Sequence, residues 1–119
     1  MQSTKQTGDQ GELIAIKYLQ NNNYIIKNTN FKFGRFGEID VIALKEGITC
    51  FIEVKYRTNT KFGIPEESIT PNKLFKFRKT MEYYVVRNKL DFEKIRFDVI
   101  TILKGEKSYR VKHYKNIEI

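Results

Sequence analysis

The chain has 119 residues, a length that fits a single domain spanning residues 1–119. Lys and Arg number 22 against 14 Asp and Glu, and the net charge of +8 favours a polyanionic partner, although a generally basic soluble protein has the same signature. The single cysteine, Cys50, excludes an intrachain disulfide. Residues 1–10 are polar, and no stretch approaches the ~18 apolar residues of a membrane span, so we expect no signal peptide, no membrane partner and a cytoplasmic location.

The first half of the chain predicts a helix followed by three strands. Residues 9–21 show the 3.6-residue apolar period of a helix, with Ala15, Ile16 and Leu19 on one face, and three consecutive asparagines end it. Residues 24–33 indicate a first strand, and a glycine-flanked loop leads to a hairpin of residues 38–44 and 48–56. Long apolar runs in both hairpin strands are typical of central strands that are buried on both faces.

The second half predicts a helix and two more strands after a polar loop at residues 59–69. Thr70 is the predicted N-cap and Pro71 the first residue of a helix that continues to about residue 88. Residues 95–103 predict a strand, and residues 108–115 a weaker one at the sheet edge. The order α-β-β-β-α-β, with this extra edge strand, indicates an α/β fold with a mixed sheet flanked by helices.

The hairpin turn determines which side chains face each other. If residues 46 and 47 form a two-residue loop, the residue numbers of every antiparallel pair sum to 93. Asp40 is then expected opposite Glu53, and Glu38 opposite Lys55. Because the side-chain period of a strand is two, Lys55 projects from the same face as Glu53.

Two carboxylates that face each other across a sheet repel, so the pair Asp40 and Glu53 needs an explanation. A hard divalent cation, Mg²⁺ or Mn²⁺, supplies one, because such ions accept one or two carboxylates together with water; the Val54 carbonyl is a candidate third oxygen. Lys55 is then placed to stabilise negative charge in a transition state or to position an attacking water. The structural alternative is a charged pair at a sheet edge bonded to solvent or to a basic neighbour, with Lys55 paired to Glu38.

A wider set of motifs accompanies this arrangement, in which Asp40, Glu53 and Lys55 match the spacing of the PD-(D/E)xK nuclease site. The set is Gly8-x-x-Gly11-Glu12-x-x-Ala15-x-x-Tyr18-Leu19, Gly37-Glu38-Ile39-Asp40, Glu53-Val54-Lys55-x-Arg57, Gly63, Lys73 and Arg96-Phe97-Asp98. From about residue 8 to about residue 103 the chain thereby resembles the UPF0102 (YraN-like) family, which is small, bacterial and similar to archaeal Holliday junction resolvases. One departure is Asn23, where the family usually has Gly; Asn tolerates the left-handed conformation expected there.

The resemblance implies a restriction-endonuclease-like fold and a metal-dependent endonuclease that hydrolyses DNA phosphodiester bonds, with branched or structured DNA as the substrate by analogy. It also implies that Glu12, an acid within the apolar stripe of the first helix, points into the same site. The alternative for Glu12 is an acid near a helix N-terminus, favoured by the helix dipole. Because resolvases cut two strands symmetrically as dimers, the resemblance further implies a homodimer.

Basic residues near the predicted site are candidate contacts to nucleic-acid phosphates, with solvated surface cations as the alternative. The candidates are Arg35, Arg57, Lys61, Lys73, Lys76, Arg78 and Lys79. Three aromatic residues beside basic ones are candidates for base stacking, for a dimer contact or for the margin of the core, namely Phe33, Phe36 and Phe62.

Other chemistries find little support in the sequence. His113 is the only histidine, and there is no phosphate-binding or dinucleotide-binding glycine motif, which disfavours a histidine triad, a zinc site, nucleotide hydrolysis and nicotinamide chemistry. The favoured hypothesis is therefore a Mg²⁺-dependent endonuclease. Its rival is a non-catalytic nucleic-acid-binding or assembly protein that retains the fold, although the intact set of Asp40, Glu53 and Lys55 favours the enzyme. An RNA substrate stays open.

Overall fold

The described residues fold into two α-helices and five strands in the predicted order. The computed structural model describes residues 4–58 and 70–118. The elements are helix α1 (Thr4–Asn21), strands β1 (Ile25–Phe33), β2 (Gly37–Lys45) and β3 (Ile48–Arg57), helix α2 (Pro71–Arg87), a short 3₁₀ helix (Phe92–Lys94), and strands β4 (Ile95–Lys104) and β5 (Tyr109–Tyr114). The predicted edge strand is present as β5, and the predicted loop at residues 59–69 lies outside the described residues.

The five strands form one mixed sheet in the order β1-β2-β3-β4-β5. Strands β3 and β4 are parallel and α2 lies between them in the chain, whereas the other three neighbouring pairs are antiparallel. A parallel pair needs a crossover connection, and α2 supplies it. The α/β class is confirmed, and the mostly antiparallel sheet with its two helices is consistent with a restriction-endonuclease-like fold.

The helix ends follow local sequence signals. The Thr70 hydroxyl accepts a hydrogen bond from the Lys73 backbone N–H at 3.2 Å, and Pro71 begins α2 as predicted. After α1 the chain turns through Asn23, whose φ of 68° is the left-handed conformation expected there. Helix α1 begins at Thr4, earlier than the predicted residue 9, because the prediction rested on apolar periodicity and the preceding residues are polar.

Two hydrophobic cores lie on the two faces of the sheet. Helix α1 contributes Ala15 and Leu19 to a core that contains Ile52 of β3, and α2 contributes Met81 to the core that contains Phe51. Adjacent residues of a strand point to opposite faces, so the two helices cover opposite faces of the sheet. Strand β3 is therefore buried on both faces, as its apolar run predicts.

Two glycines set how closely the helices approach the sheet. A Cβ atom on Gly11 of α1 would lie 2.5 Å from Cβ of Tyr56 on β3. A Cβ atom on Gly37 at the start of β2 would lie 2.3 Å from the hydroxyl oxygen of Thr80 on α2. Because real Cβ contacts are longer than this, each glycine permits a close contact between a helix and the strands that carry the candidate site.

We expect Gly11→Ala to lower the free energy of unfolding by about 1–3 kcal/mol, because Cβ would overlap Tyr56 within a packed core. In an unconstrained helix interior the same change is stabilising by up to about 1 kcal/mol, so the sign of the effect tests the contact. Urea titration followed by circular dichroism measures it. Lys17→Ala, at an exposed position of the same helix, is the matched control and should change little; a stabilised Gly11→Ala protein would contradict the contact.

Candidate functional site

The hairpin register is confirmed from its turn as far as the middle of β2 and ends there. The pairs run from Lys45 with Ile48 to Val41 with Ile52, each with numbers that sum to 93. The register does not continue to the predicted pair of Asp40 with Glu53. The Asp40 carboxylate instead accepts a hydrogen bond through Oδ2 from the backbone N–H of Val54 at 2.8 Å. A side chain thus takes the N–H that would otherwise join the ladder, and the two strands part at this point.

Strand β2 changes face at Asp40. Ile39 belongs to the core beneath α2, whereas Val41, two residues later, belongs to the core beneath α1. Residues two apart in a regular strand face the same side, so the backbone is irregular between them. Asp40 therefore lies at the edge between β2 and β3 rather than squarely on either face of the sheet.

Glu53 and Lys55 share the face of β3 that α2 covers, as their odd numbers and that of Phe51 require. The Lys55 ammonium lies 3.1 Å from Oε1 of Glu53, and the two side chains are only 13% and 22% exposed. The predicted ion pair of Lys55 with Glu38 is therefore wrong. Because β2 and β3 separate beyond Val41, Glu38 no longer faces Lys55 across a ladder, and the acid on the same strand is its partner.

Burial and mutual repulsion change the acidity of both carboxyl groups. Burial, with repulsion from Glu53, raises the pKa of Asp40 to about 7; the hydrogen bond from Val54 opposes this, and Glu12 and Glu38 add to it. Burial also raises the pKa of Glu53 above its usual value, although the positive charge of Lys55 acts in the opposite direction. Partly buried acids that repel each other favour a positive charge between them.

A hard cation at this point would have two side-chain donors, the carboxylates of Asp40 and Glu53. Among the described residues, Asp40 Oδ2 accepts the hydrogen bond from the Val54 N–H, and Glu53 Oε1 lies 3.1 Å from the Lys55 ammonium. A strand residue presents its N–H and C=O at the same edge, so the carbonyl of Val54 lies at the edge that Asp40 contacts. Within residues 4–58 and 70–118 no group of three His, Cys, Asp or Glu side chains is arranged around a common point. Any cation would therefore rely on two carboxylates, a backbone carbonyl and water, a set that Mg²⁺ accepts.

Glu12 lies on the α1 side of this arrangement. Its carboxylate accepts a hydrogen bond from the Asn30 amide at 2.8 Å and is close enough to Asp40 to raise the pKa of that residue. Asn30 itself has a positive φ of 52°, on the segment of β1 next to Asp40. The expectation that Glu12 points towards the site agrees with this electrostatic proximity, and its role in catalysis stays a prediction.

A cavity of about 210 Å³ opens between β3 and the first turns of α2. Three lysines and two glutamates line it above an apolar floor: Glu38, Glu53, Lys55, Lys73 and Lys76, with Gly37, Leu74, Phe77 and Phe97. Of the predicted phosphate contacts, Lys73 and Lys76 line this cavity. Arg35 is exposed in the turn before β2, Arg57 donates to the carbonyl of Tyr56, and Lys61 lies outside the described residues.

The other face of the sheet carries a polar network that the sequence analysis missed. Asp98 is fully buried and accepts two hydrogen bonds from Arg96, each 2.8 Å long. The ring of His113 bridges Asp98, 2.7 Å from Nε2, and the Tyr18 hydroxyl, 3.0 Å from Nδ1. The available signal was a lone aspartate in the apolar run of β4, since a buried acid needs partners.

The sequence matches a known protein family over most of its length. The model of the uncharacterised protein family UPF0102 matches residues 11–102. The chain belongs to this family. A UPF0102 protein of Clostridioides difficile is 40% identical over 114 residues, which cover 96% of this chain and 97% of that protein. A UPF0102 protein of Flavobacterium psychrophilum is 38% identical over 109 residues, covering 92% and 90%. One from Acetivibrio thermocellus is 37% identical over 100 residues, covering 84% and 77%.

The residues matched by the family model include Asp40, Glu53 and Lys55 of the candidate site and Asp98 of the polar network. Glu12 also lies within the matched residues, and His113 lies beyond them. Neither helix of the described chain is long and apolar enough to cross a membrane.

We expect Asp40→Asn to stabilise the metal-free protein at pH 8 by on the order of 2 kcal/mol. The pKa of Asp40 is near 7 in the folded protein and near 4 in an unfolded chain, so stability is lost as the pH rises through this range. The variant has no charge to bury, and its advantage should vanish below about pH 4. Unfolding midpoints between pH 3.5 and 8 in chelator measure this; a variant less stable than wild type at pH 8 would refute it.

We expect the opposite pH dependence for Asp98→Asn. Burial alone would raise the pKa of Asp98, but hydrogen bonds from His113, Arg96 and the Asn116 N–H together lower it. The stabilisation by Asp98 is therefore present above about pH 4 and lost as the pH falls through its folded pKa. The variant should lose about 3–5 kcal/mol near neutral pH and less in acid. Thermal unfolding at several pH values, with exposed Glu106→Gln as control, tests this.

Proposed function

We propose that this protein is a metal-dependent endonuclease that hydrolyses phosphodiester bonds in DNA. The observation that carries the proposal is the cluster of Asp40, Glu53 and Lys55 where β2 and β3 part. The first two raise each other's proton affinity and so favour a cation, and the third carries a positive charge within 3.1 Å of Glu53. Mutually perturbed carboxylates beside a cavity are typical of functional sites.

The residues of the cluster have distinct roles in this proposal. Asp40 and Glu53, with the Val54 carbonyl, would hold Mg²⁺ or Mn²⁺, which when bound lowers the pKa of a coordinated water and neutralises phosphate charge. Lys55 would donate a hydrogen bond to the phosphate oxygen on which negative charge grows, and Glu12 would orient solvent from the α1 side. In the overall reaction, water oxygen bonds to phosphorus, the ester P–O bond breaks, and the departing oxygen takes up a proton.

The charge around the site supports a nucleic-acid substrate. Lys55, Lys73 and Lys76 line the cavity beside Glu53, and the whole chain carries a net charge of +8. Such cations bind phosphates with little regard to sequence and make affinity fall with salt. Branched or structured DNA and a homodimer are implied by the resemblance to junction resolvases. The sedimentation coefficient of the protein in solution tests the dimer.

We expect wild-type protein to cleave DNA only with Mg²⁺ or Mn²⁺, and Asp40→Asn and Glu53→Gln to lower the rate at least about 100-fold. Both variants should bind the same DNA in chelator as tightly as wild type or more tightly, because each removes a negative charge near the phosphate. Cleavage of end-labelled linear, nicked, single-stranded and four-way DNA, with affinities from fluorescence anisotropy, measures both. Glu106→Gln, at an exposed position near β5, is the matched control.

The same experiment separates the enzyme from its rival. A wild-type protein that binds DNA but cleaves no substrate with either metal would be a binding module that retains the fold. Variants that cleave as fast as wild type would remove Asp40 and Glu53 from the mechanism. A wild-type protein that binds no DNA at low salt would contradict both functions.

A further inference from the structure

Four aromatic rings form a continuous surface from the end of β1 across the following turn to α2. Phe33 stacks on Tyr83 with ring centroids 4.2 Å apart and planes within 4°. Phe36 lies 5.8 Å from Phe33 on one side and 6.2 Å from Phe75 on the other. We call Phe33, Phe36, Phe75 and Tyr83 the aromatic surface. It joins three separate segments of the chain, so it is a product of the fold and not of one local sequence.

These rings are exposed to an unusual degree. Phe36, Phe75 and Tyr83 retain 39%, 47% and 37% of their accessible surface. Single exposed apolar residues are ordinary in soluble proteins, whereas a contiguous exposed group marks a binding surface. These three rings do not belong to either hydrophobic core. The buried residues that α2 contributes to its core include Phe77 and Met81 instead.

Positive charge accompanies the aromatic surface. The guanidinium of Arg78 and the ammonium of Lys79 each lie 5.7 Å from the centre of the Phe75 ring. Glu82 lies within 3.7 Å of both cations, but Lys76 and Arg35 extend the positive charge beyond it. A partner must therefore offer flat apolar groups and negative charge together.

The aromatic surface borders the cavity of the candidate site. Phe36 directly precedes Gly37 and Glu38, which line the cavity with Glu53 and Lys55. Phe75 lies between Leu74 and Lys76, which line it from α2. A polyanion whose phosphate reached the carboxylates would place its neighbouring units beside these rings.

We propose that the aromatic surface binds unpaired nucleotides of DNA by stacking on their bases, next to the phosphate held at the candidate site. This inference rests on the proposed nuclease function and defines its substrate as DNA that contains a single-stranded segment. In a duplex the base faces are already stacked, so only its phosphates and groove edges are available to a protein. Exposed rings interleaved with cations match unpaired bases and phosphates instead.

Charge argues against a second copy of the chain as the occupant. A symmetric dimer brings the same patch of both copies together. Arg78, Lys79, Lys76 and Arg35 of one copy would then approach those of the other, and a net charge of +8 on each chain adds to the repulsion. Apposed like charges disfavour an interface, whereas single-stranded DNA carries the opposite charge.

The test compares leucine and tyrosine at the two exposed phenylalanines of the aromatic surface, in metal-free buffer. Leucine keeps the apolar volume but has no flat face, and tyrosine keeps the ring. We expect Phe75→Leu and Phe36→Leu each to weaken binding of single-stranded DNA by about 5- to 100-fold, and Phe75→Tyr and Phe36→Tyr to bind within about twofold of wild type. Phe92→Leu, at an exposed phenylalanine before β4, is the matched control and should bind like wild type.

Two further arms isolate the bases from the phosphates. On a duplex of the same sequence, the leucine variants should match wild type. Wild type should bind a single strand whose central nucleotides lack bases as weakly as the leucine variants bind the intact strand. The leucine substitutions should not weaken binding to the strand without bases any further. Circular dichroism and unfolding midpoints confirm that the half-exposed substitutions leave the fold intact.

Several results would overturn the inference. Leucine variants that bind single strands like wild type, or that lose duplex binding equally, would exclude base stacking. A wild-type dimer that the leucine variants convert to a monomer would assign the surface to a second copy.

Wild type that cleaves duplex DNA with Mg²⁺ while the stacking test fails would support the proposed nuclease function and exclude this substrate class. Stacking without metal-dependent cleavage of any DNA would instead keep the surface and reject the nuclease.

Discussion

The hydrogen bond from the Val54 N–H to the Asp40 carboxylate determines the shape of the candidate site. It replaces a backbone bond of the β2–β3 ladder by a bond to a side chain, and the ladder ends there. Beyond this point β2 changes face and is no longer paired with β3, whose residues Glu53 and Lys55 face the first turns of α2. Residues of both strands line the cavity, Gly37 and Glu38 from β2 and Glu53 and Lys55 from β3. The partly buried Asp40 both ends the ladder and is a candidate member of the site.

The site is built at the expense of stability. Burial disfavours the charged forms of Asp40 and Glu53, and the repulsion between them adds to this effect, so the pKa of each is raised. Lys55 compensates in part, because its ammonium contacts Glu53 from the same strand. A sheet selected for stability alone would place apolar or neutral residues here. Two acids with raised pKa values near a cavity are the pattern expected where binding or catalysis requires them.

The network around Asp98 shows what a structural buried acid looks like in the same protein. Asp98 has two bonds from Arg96, one from the ring of His113 and one from the Asn116 N–H, and its pKa is lowered. It ties β4 to β5 and, through His113 and Tyr18, to α1. The physical contrast with Asp40 is clear. Hydrogen bonds from protein groups stabilise the charge of Asp98, whereas the charge of Asp40 is repelled by Glu53 and favours an added cation.

Much of this protein was determined by local sequence. The order of elements, the Thr70 and Pro71 start of α2, the left-handed turn at Asn23 and the β2–β3 register near its turn all depend on neighbouring residues, so patterns of two, 3.6 or a few residues predict them. The choice of Asp40, Glu53 and Lys55 as candidates also came from spacing along two strands joined by a tight turn.

Only the tertiary structure decided the rest. The end of the ladder at Val41, the pairing of Lys55 with Glu53, the network of Asp98 with His113 and the aromatic surface all join groups that the chain separates or that a regular strand would orient differently. A period-two pattern assumes that residues two apart in a strand face the same side of the sheet. In β2 this is not so around Asp40, because Ile39 and Val41 lie in cores on opposite faces. Contacts across 15 to 95 residues, such as those of His113 with Asp98 and Tyr18, have no periodic signature, because they arise only when the sheet and helix pack together.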